Sequence, residues 1–433
     1  MTVTQTSIST LMEQLYPLHR SQTGEGVRNT LEMLKKFGLE MEVFEIPSGT
    51  KVFDWEVPQE WKFQEAYIET ESGVRIVDSQ ESNLHILNGS KPFRGRISFD
   101  ELKSHLYRSD RLPNSVPYRT AFFQDEWGFC VNQSQYCELE NCNGPLNVVV
   151  DTEMFDGSMT YGEAILLGES SETVVIWAHT CHPSLANDNV SGIATAAELY
   201  QKLSVGPRKF TYRFVFAPAT IGAITWLFQN RSELDKIKFG MVLTLLGDDQ
   251  SFTFKLSRQH DHLIDRCLLS MANTANNQFK LEPFSPMGYD ERQFCSPGIN
   301  LPFVRISRST PETFAQYHTS DDCLSIISEF RILEAADMVY SVLQIAETNC
   351  LPVNISPHCE PHLGSRGLYA SYGNQETANA SQRSILWTLN LSDGQHDALT
   401  ISDRSKIPYL EILQAIHVLS DHGLLEIEKA NND

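Results

Sequence analysis

The sequence predicts an α/β protein whose core holds a mostly parallel sheet, with a β-rich insertion and a C-terminal winged helix. Three observations lead to this architecture. From Thr173 to about residue 350, apolar strand-like runs alternate with helical segments, as in a parallel sheet covered on both faces. Between residues 55 and 168, short β-like runs are separated by Gly, Pro, Asn and Ser turns. Beyond residue 380, the order is helix, short helix, helix and strand.

The chain has 433 residues, which is too long for one ordinary hydrophobic core and indicates two or three domains. We expect the core to comprise residues 1–54 and 169–350 and the insertion to comprise residues 55–168. A connection over 351–380 and a winged helix over 381–433 complete the chain. The composition, 41% hydrophobic and 21% charged, is that of a globular protein, and no apolar run reaches the ~18 residues of a membrane span.

The first predicted element is a helix over residues 8–37, interrupted near the turn RSQTGEGVR. Val27, Leu31 and Leu34 place an apolar stripe on one face of its second half. A strand at Met41–Ile46 follows. These elements precede the β-rich insertion.

In the α/β part, the strands VVIWAHT, YRFVFAP and GMVLTLLGDD are each followed by a helical segment, and PFVRIS precedes a helix at Ser328–Thr348. Functional sites on such sheets lie beyond the carboxyl ends of the strands. The polar clusters His179–Asp188, Pro218–Thr220 and Gly247–Asp249 stand at those ends. The sequence therefore predicts a site where these clusters meet.

The predicted winged helix lacks the charge of a DNA-binding module. Residues 381–433 contain four basic and eight acidic residues, a net charge of −4, and the would-be recognition helix Pro408–His422 has no Lys or Arg. Because neutralising DNA phosphates needs cations, we expect a packing or protein-interaction module that binds no nucleic acid. Homo-oligomerisation or a protein partner through this module is the corresponding expectation.

The whole chain is also acidic, with a formal net charge of −21. This field disfavours nucleic acid and anionic membrane surfaces and favours cationic or neutral partners. The nine cysteines are scattered, and the N-terminus shows no basic segment followed by an apolar block. We therefore expect reduced thiols and a cytoplasmic location.

Candidate metal ligands stand in the strand-to-helix segment HTCHPSLANDNVSG. Zinc favours His nitrogen and carboxylate oxygen, and a catalytic site keeps one position open for water, which makes His182 and Asp188 candidates. Two structural interpretations stay open. Asp188 could cap the following helix, and His182 could be an ordinary packed histidine. A Cys181–His182 nucleophile is disfavoured, because adjacent residues on extended backbone point to opposite sides.

Several segments together resemble the M28 family of zinc aminopeptidases. NDNVSG resembles its metal-bridging aspartate segment, GDD its later carboxylate ligand, YDERQFCSPGINLPF its Ser-Asp-His segment, and YHTSDD its terminal histidine segment. RSQTGEGVR, SNLHIL and PYRTAFFQDEWGFC extend the likeness to a bacterial branch with a β-rich insertion and a C-terminal winged helix. The resemblance implies a zinc-aminopeptidase-like core in which His182, Asp188 and His318 bind zinc and Asp248 serves as a fourth or second-site ligand.

The resemblance has two departures. The family carries a Glu-Glu pair, general base and metal ligand, where this chain reads APATIGAI with Ala219 and Thr220. The interval from His182 to Asp188 is also shorter than usual. We therefore expect one zinc ion rather than two, with water on the metal ionising near a pKa of roughly 7. Glu291 is the expected substitute acid or base, and an ion pair with Arg292 is its structural alternative.

The remaining candidates concern substrate binding: Asp290 and Tyr317 within the resembling segments, Tyr118 in the insertion, and Arg20 as a carboxylate-binding residue. A solvated or ion-paired role is the structural alternative for Arg20, and a core position is the alternative for Tyr118. The function predicted is a zinc-dependent hydrolase of amide or peptide bonds acting near a free amino terminus. Its substrate would be a small peptide or an amine-bearing amide. Two alternatives stay open: a non-catalytic scaffold on a peptidase fold, and a metal-dependent deacylase of a sugar or natural-product precursor.

Overall fold

The computed structural model describes residues 7–274, 279–368 and 375–428. The first six and last five residues, assigned above to the core and the winged helix, and part of the predicted connection lie outside these ranges. The chain divides into two compact units, residues 1–258 with 282–338 and residues 259–281 with 339–433. The α-helices are α1 (Ile8–Leu15), α2 (Glu25–Phe37), α3 (Phe99–Leu102), α4 (Gln133–Glu140), α5 (Gly192–Ser204), α6 (Ile221–Gln229), α7 (Leu263–Thr274), α8 (Glu291–Phe294), α9 (Glu329–Thr348), α10 (Gln375–Leu391), α11 (Ala398–Ser405) and α12 (Tyr409–Asp421).

The strands form one large sheet and several small ones. They are β1 (Met41–Pro47), β2 (Lys51–Val52), β3 (Trp55–Glu56), β4 (Glu60–Glu69), β5 (Arg75–Asp78), β6 (Phe93–Ile97), β7 (Leu106–Tyr107), β8 (Phe129–Cys130), β9 (Leu146–Phe155), β10 (Ser158–Leu166), β11 (Thr173–His179), β12 (Thr211–Ala217), β13 (Ile237–Leu243), β14 (Thr253–Lys255), β15 (Lys280–Glu282), β16 (Phe303–Ser307), β17 (Leu351–Asn354) and β18 (Leu425–Glu428).

The large sheet has the order β1-β10-β12-β11-β13-β16-β14-β15. Its centre is parallel, since β12, β11, β13 and β16 run in the same direction, whereas β1, β10 and β14 pair antiparallel. The predicted α/β class with a mostly parallel sheet is confirmed. Because β11, β12 and β13 are neighbours, the loops that follow them leave the same edge of the sheet.

Burial explains why the central strands form here. Every residue of β11 is buried, as expected for a strand covered on both faces. Trp177 and Trp226 pack edge-to-face with ring centroids 6.3 Å apart in a core that also contains Phe294 and Phe303. Gly240 is required opposite Phe303, because a Cβ there would lie 2.2 Å from the phenyl ring. Close packing thus fixes β13 against β16.

The N-terminal segment and the insertion flank this sheet. The predicted helix break is observed: α1 ends at Leu15 and α2 begins at Glu25, with Val27, Leu31 and Leu34 fully buried. The β-rich segment contains a four-stranded sheet of order β5-β4-β9-β6 with its own apolar cluster. Strand β10, expected within the insertion, instead pairs with β1 and β12 in the large sheet.

The second unit contains the C-terminal helices α10, α11 and α12 and the two-stranded sheet β17–β18. Strand β17 falls within the stretch predicted as a connection. Ile412, Ile416 and Leu419 of α12 are fully buried, so the apolar stripe of this helix is core. Asp397 caps α11 by accepting a hydrogen bond from the Thr400 backbone N–H. Among the described residues, no helix is long and apolar enough to cross a membrane.

Candidate metal centre

The candidate centre is built on the loop that leaves the carboxyl end of β11. His179 is the last residue of that strand, and the chain then passes through an irregular helical turn, Ala186–Ser191, into α5. Asp188 has non-helical backbone angles and caps no helix. The capping interpretation of Asp188 is therefore wrong, because its carboxylate faces histidines instead.

Three imidazoles surround the Asp188 carboxylate. His179 Nε2 lies 2.9 Å from Oδ1, and His318 Nε2 lies 3.1 Å from Oδ2. The potential ligand atoms of His179, His182 and Asp188 all lie within 4.8 Å of one another. The ring centroids of His182 and His318 are 5.1 Å apart. His318 belongs to the same cluster, because its Nε2 directly contacts the Asp188 carboxylate.

Two facing atoms of the cluster lack hydrogen-bond partners. Asp188 Oδ2 and His318 Nε2 are both buried, and neither makes a hydrogen bond. Buried polar atoms are almost always satisfied, and His nitrogen together with carboxylate oxygen is a zinc donor set. The residues present therefore fit a bound divalent metal, with His179, His182, Asp188 and His318 as its ligands.

The electrostatics of the cluster favour the protonation states that a bound metal needs. Burial alone would raise the pKa of Asp188, but the nearby imidazoles of His182, His179 and His318 hold that pKa well below its ordinary value. Burial lowers the pKa of His182 well below its usual range. An ionised carboxylate beside a neutral imidazole is the state that metal binding requires.

A second layer of polar contacts holds the loop in place. Asp322 accepts hydrogen bonds from the backbone N–H groups of Asn187 (2.6 Å) and Asp188 (3.0 Å). Because Asp322 lies four residues after His318, it ties the two ligand-bearing segments together. Burial raises the pKa of Asp322 to about 7.

Asp248, a predicted ligand, is engaged elsewhere. Its Oδ2 accepts a hydrogen bond from Asn187 Nδ2 at 2.8 Å, and its Oδ1 accepts one from the Gln250 N–H. It is not a member of the His179–His182–Asp188 group. The structure thus gives Asp248 the position of a loop-supporting residue.

Glu291, the predicted acid or base, pairs with a residue that the sequence did not suggest. Its Oε1 lies 2.9 Å from Lys255 Nζ, with both side chains buried, so the ion-pair partner is Lys255 and not Arg292. The Tyr289 N–H also donates to Oε1, whereas Oε2 is buried without a partner. Tyr289 in turn stacks on His179 with ring centroids 5.4 Å apart, which links this carboxylate to the cluster.

Three of the four predicted substrate-binding residues fall into two groups, and the fourth, Arg20, donates a hydrogen bond to the backbone oxygen of His182. Tyr317 stacks on His318 at 3.9 Å, and Tyr118 contacts the rings of His182 and His318 at 5.0 and 5.1 Å. Both therefore line the cluster. Asp290 is buried and accepts hydrogen bonds from Trp177 Nε1 and the Thr220 N–H, both at 2.7 Å. Its geometry is that of a support for the 218–220 loop.

The loop after β12 supplies no carboxylate. Ala219 and Thr220 are partly exposed, and the Ala219 N–H donates to Cys181 Sγ at 3.3 Å. Cys181 Sγ lies 3.6 Å from His182 Nδ1, so the two side chains are closer than extended backbone suggests. Burial raises the pKa of Cys181 to about 12, which leaves the thiol protonated and unsuited to nucleophilic attack.

Sequence reasoning missed His179 and Asp322. The signal for His179 was present, because it is the last residue of an apolar strand and so stands at the sheet edge where sites form. No comparable signal identified Asp322, since its role depends on how two distant segments meet.

Comparison with known proteins places this geometry in context. A family model for a domain of unknown function, DUF4910, matches residues 9–349, and a winged helix-turn-helix model matches residues 350–427. A Clostridium acetobutylicum relative is 38% identical over 420 residues, covering 97% of this chain and 96% of its own. Its name proposes a polysaccharide biosynthesis protein with an aminopeptidase-like domain.

Solved structures agree with the fold. The crystal structure of a proposed peptidase from Clostridium acetobutylicum matches with a TM-score of 0.90 and 36% identity, covering 97% of this chain and 96% of that one. BSAP, a zinc aminopeptidase from Bacillus subtilis, matches with a TM-score of 0.56 at 13% identity, over 79% of this chain and 95% of its own. At that identity the second likeness shows an aminopeptidase-like fold alone.

Proposed function

Because this chain belongs to the DUF4910 family and carries a buried cluster of three histidines and one aspartate on an aminopeptidase-like fold, we propose that it is a zinc-dependent hydrolase of amide or peptide bonds. The observation that carries the proposal is the pair of facing atoms without hydrogen bonds, Asp188 Oδ2 and His318 Nε2. A metal between them would satisfy both. A bound zinc ion would supply Lewis acidity and lower the pKa of its water to roughly 7.

One zinc ion, rather than two, suits this ligand set. The loop at Ala219 and Thr220 offers no carboxylate for a second ion, and Asp248 is held by Asn187. His182 adds a third imidazole to the cluster around Asp188. Three imidazole nitrogens and one carboxylate would hold a single zinc ion, which would supply the Lewis acidity for the reaction.

We keep Glu291 as the proposed proton acceptor. Its Oε1 is occupied by Lys255 and the Tyr289 N–H, but its buried Oε2 has no partner and so has a free lone pair. The stacked Tyr289 and His179 rings place the backbone beside Glu291 next to the ligands. Lys255, 2.9 Å from Oε1, would hold the carboxylate in one orientation, which is what a general base needs.

Tyr118 and Tyr317 support a substrate role at the same place. Burial raises the pKa of Tyr118 and the pKa of Tyr317 well above the ordinary value, so both phenols stay neutral and can donate a hydrogen bond to a carbonyl oxygen. Together with the chain's acidic charge, they suit a small substrate bearing a free amine. We propose a small peptide or an aminoacyl amide.

A second candidate is favoured by one finding. The name of the 38% identical relative proposes a role in polysaccharide biosynthesis, and removal of an acyl group from an amino sugar is also amide hydrolysis. The same cluster would serve both reactions. A non-catalytic scaffold is the third possibility, and it predicts metal binding without turnover.

The test combines metal content with turnover. Wild type, His182→Ala and His318→Ala are assayed for zinc and for hydrolysis of aminoacyl amides and N-acyl amino sugars, with exposed His417→Ala as the control. We expect full zinc content and turnover in wild type and His417→Ala, and weakened zinc binding without turnover in His182→Ala and His318→Ala. Zinc without turnover on either substrate class indicates the scaffold, and a zinc-free wild type after growth in zinc contradicts the proposal altogether.

A further inference from the structure

Arg20 is a buried cation that no described carboxylate neutralises. Its side chain is 1% exposed, and its hydrogen bonds go to backbone carbonyls rather than to acids. Arg28, on the neighbouring helix, shows the contrast, because it pairs with Glu25, Glu45 and Glu60. Removing an unpaired guanidinium from water costs several kcal/mol, so a residue that only filled this space would be apolar.

The two carbonyls that Arg20 contacts define what it joins. Nε donates to the backbone oxygen of His182 at 2.8 Å, and Nη1 donates to the oxygen of Leu15 at the end of α1. The Arg20 backbone is itself fixed, since its oxygen accepts a hydrogen bond from Asn88 Nδ2 at 3.1 Å. A planar guanidinium holds two acceptors at a fixed separation and angle. Arg20 thus connects the N-terminal segment to the backbone of a candidate metal ligand.

We infer that Arg20 is a positioning residue for His182. Through its hydrogen bond to the His182 carbonyl, Arg20 holds the His182 imidazole where this ring meets Asp188 and His318. The inference rests on the proposed metal centre. His182 needs such a support, because the chain has left β11 three residues earlier and its carbonyl no longer belongs to the sheet. Residues that orient a metal ligand typically change metal affinity by about 10- to 100-fold when they are replaced.

This role replaces the carboxylate-binding role expected from the sequence. Two of the three guanidinium nitrogens are occupied, and only Nη2 is without a partner. A substrate-binding arginine would change KM for acidic substrates while leaving zinc affinity unchanged. A positioning arginine changes zinc affinity whether or not substrate is present.

The experiment measures zinc affinity by competition with a chromophoric chelator. Arg20→Met should weaken zinc binding by about 10- to 100-fold, and Arg20→Lys, which keeps one donor, should weaken it less. Arg28→Met is the matched control, because it removes a cation from the same motif but leaves the His182 carbonyl bonded. We expect Arg28→Met to bind zinc as tightly as wild type.

A double-variant cycle separates positioning from general destabilisation. If Arg20 acts through His182, then Arg20→Met should add no further loss of zinc affinity to His182→Ala. Equal zinc affinity in wild type and both Arg20 variants, or losses that add fully in the double variant, would overturn the inference. A wild type that binds no zinc would instead overturn the proposed function, so the two failures are distinguishable.

Discussion

The buried Lys255–Glu291 pair can be tested by removing its charges one at a time. The two side chains are 3% and 0% exposed, and their charged atoms lie 2.9 Å apart. The pair is also tightly enclosed, because a Cβ at Gly288 would lie 2.3 Å from Glu291 Oε1. Lys255→Met should therefore lower the free energy of unfolding by about 3–5 kcal/mol, the cost of leaving a buried charge unpaired.

Turnover provides a second measurement, which is independent of the free energy of unfolding. If Glu291 is the general base, Glu291→Gln should lower turnover by about 10²–10⁴-fold while zinc remains bound. The double variant Lys255→Met/Glu291→Gln removes both charges and keeps an acceptor for the Tyr289 N–H. It should recover most of the stability lost by Lys255→Met but none of the turnover.

Urea unfolding, zinc content and steady-state rates are measured for all three variants. Glu163→Gln is the matched control, because Glu163 pairs with Arg213 between β10 and β12 with little exposure and outside the cluster. It should lose stability but keep its rate. A zinc-loaded Glu291→Gln with full turnover would remove Glu291 from the mechanism. A double variant that recovers both stability and turnover would make the pair structural alone, and a fully stable Lys255→Met would refute the burial reasoning.

Three further outcomes follow from other parts of the chain. Purified protein should hold roughly one zinc ion per chain, and Asp188→Asn should abolish zinc binding, as measured by elemental analysis. The isolated second unit has not been shown to fold alone, so the full chain should be used to test DNA binding. It should show no sequence-selective, salt-dependent shift, because helix α12 has no Lys or Arg. Burial lowers the pKa of His19 to about 4 from 6.5, so the unfolded chain binds more protons between these pH values. Stability should fall as pH drops from 6.5 to 4 by up to about 1.4 kcal/mol per unit, and His19→Phe should remove that part of the loss in urea unfolding.

The fold was predictable because its signals are local. The apolar run VVIWAHT predicts a strand without knowledge of its neighbours, and every residue of the observed strand β11 is buried. The same holds for the break between α1 and α2: α1 ends at Leu15, two residues before Pro17, and Gly24, with a φ of 94°, precedes the first residue of α2. Strand β10 was assigned to the insertion because a local pattern of strand-like runs and turn residues does not reveal which strands pair. Its partners, β1 and β12, lie far apart in the chain.

The candidate centre was only partly predictable, because its contacts are long-range. His182 and Asp188 were indicated by motif, but the resemblance left His179 unassigned and suggested Asp248, which the structure holds with Asn187. The Lys255 partner of Glu291 lies 36 residues away, so no spacing rule identifies it. Whether a carboxylate is a ligand, a base or a structural ion depends on the partner it meets in space.

The lack of a carboxylate at Ala219 and Thr220 and the three imidazoles around Asp188 are best understood together. A loop with Ala219 and Thr220 offers no carboxylate to neutralise a second divalent ion. With His182 held by Arg20, a single ion would still receive enough donors from His179, His182, Asp188 and His318. A general base must then come from outside the ligand set, and Glu291 has the free carboxylate oxygen connected to the cluster through Tyr289. The same ligand set therefore supports both parts of the proposal: one metal, and a base held in place by Lys255.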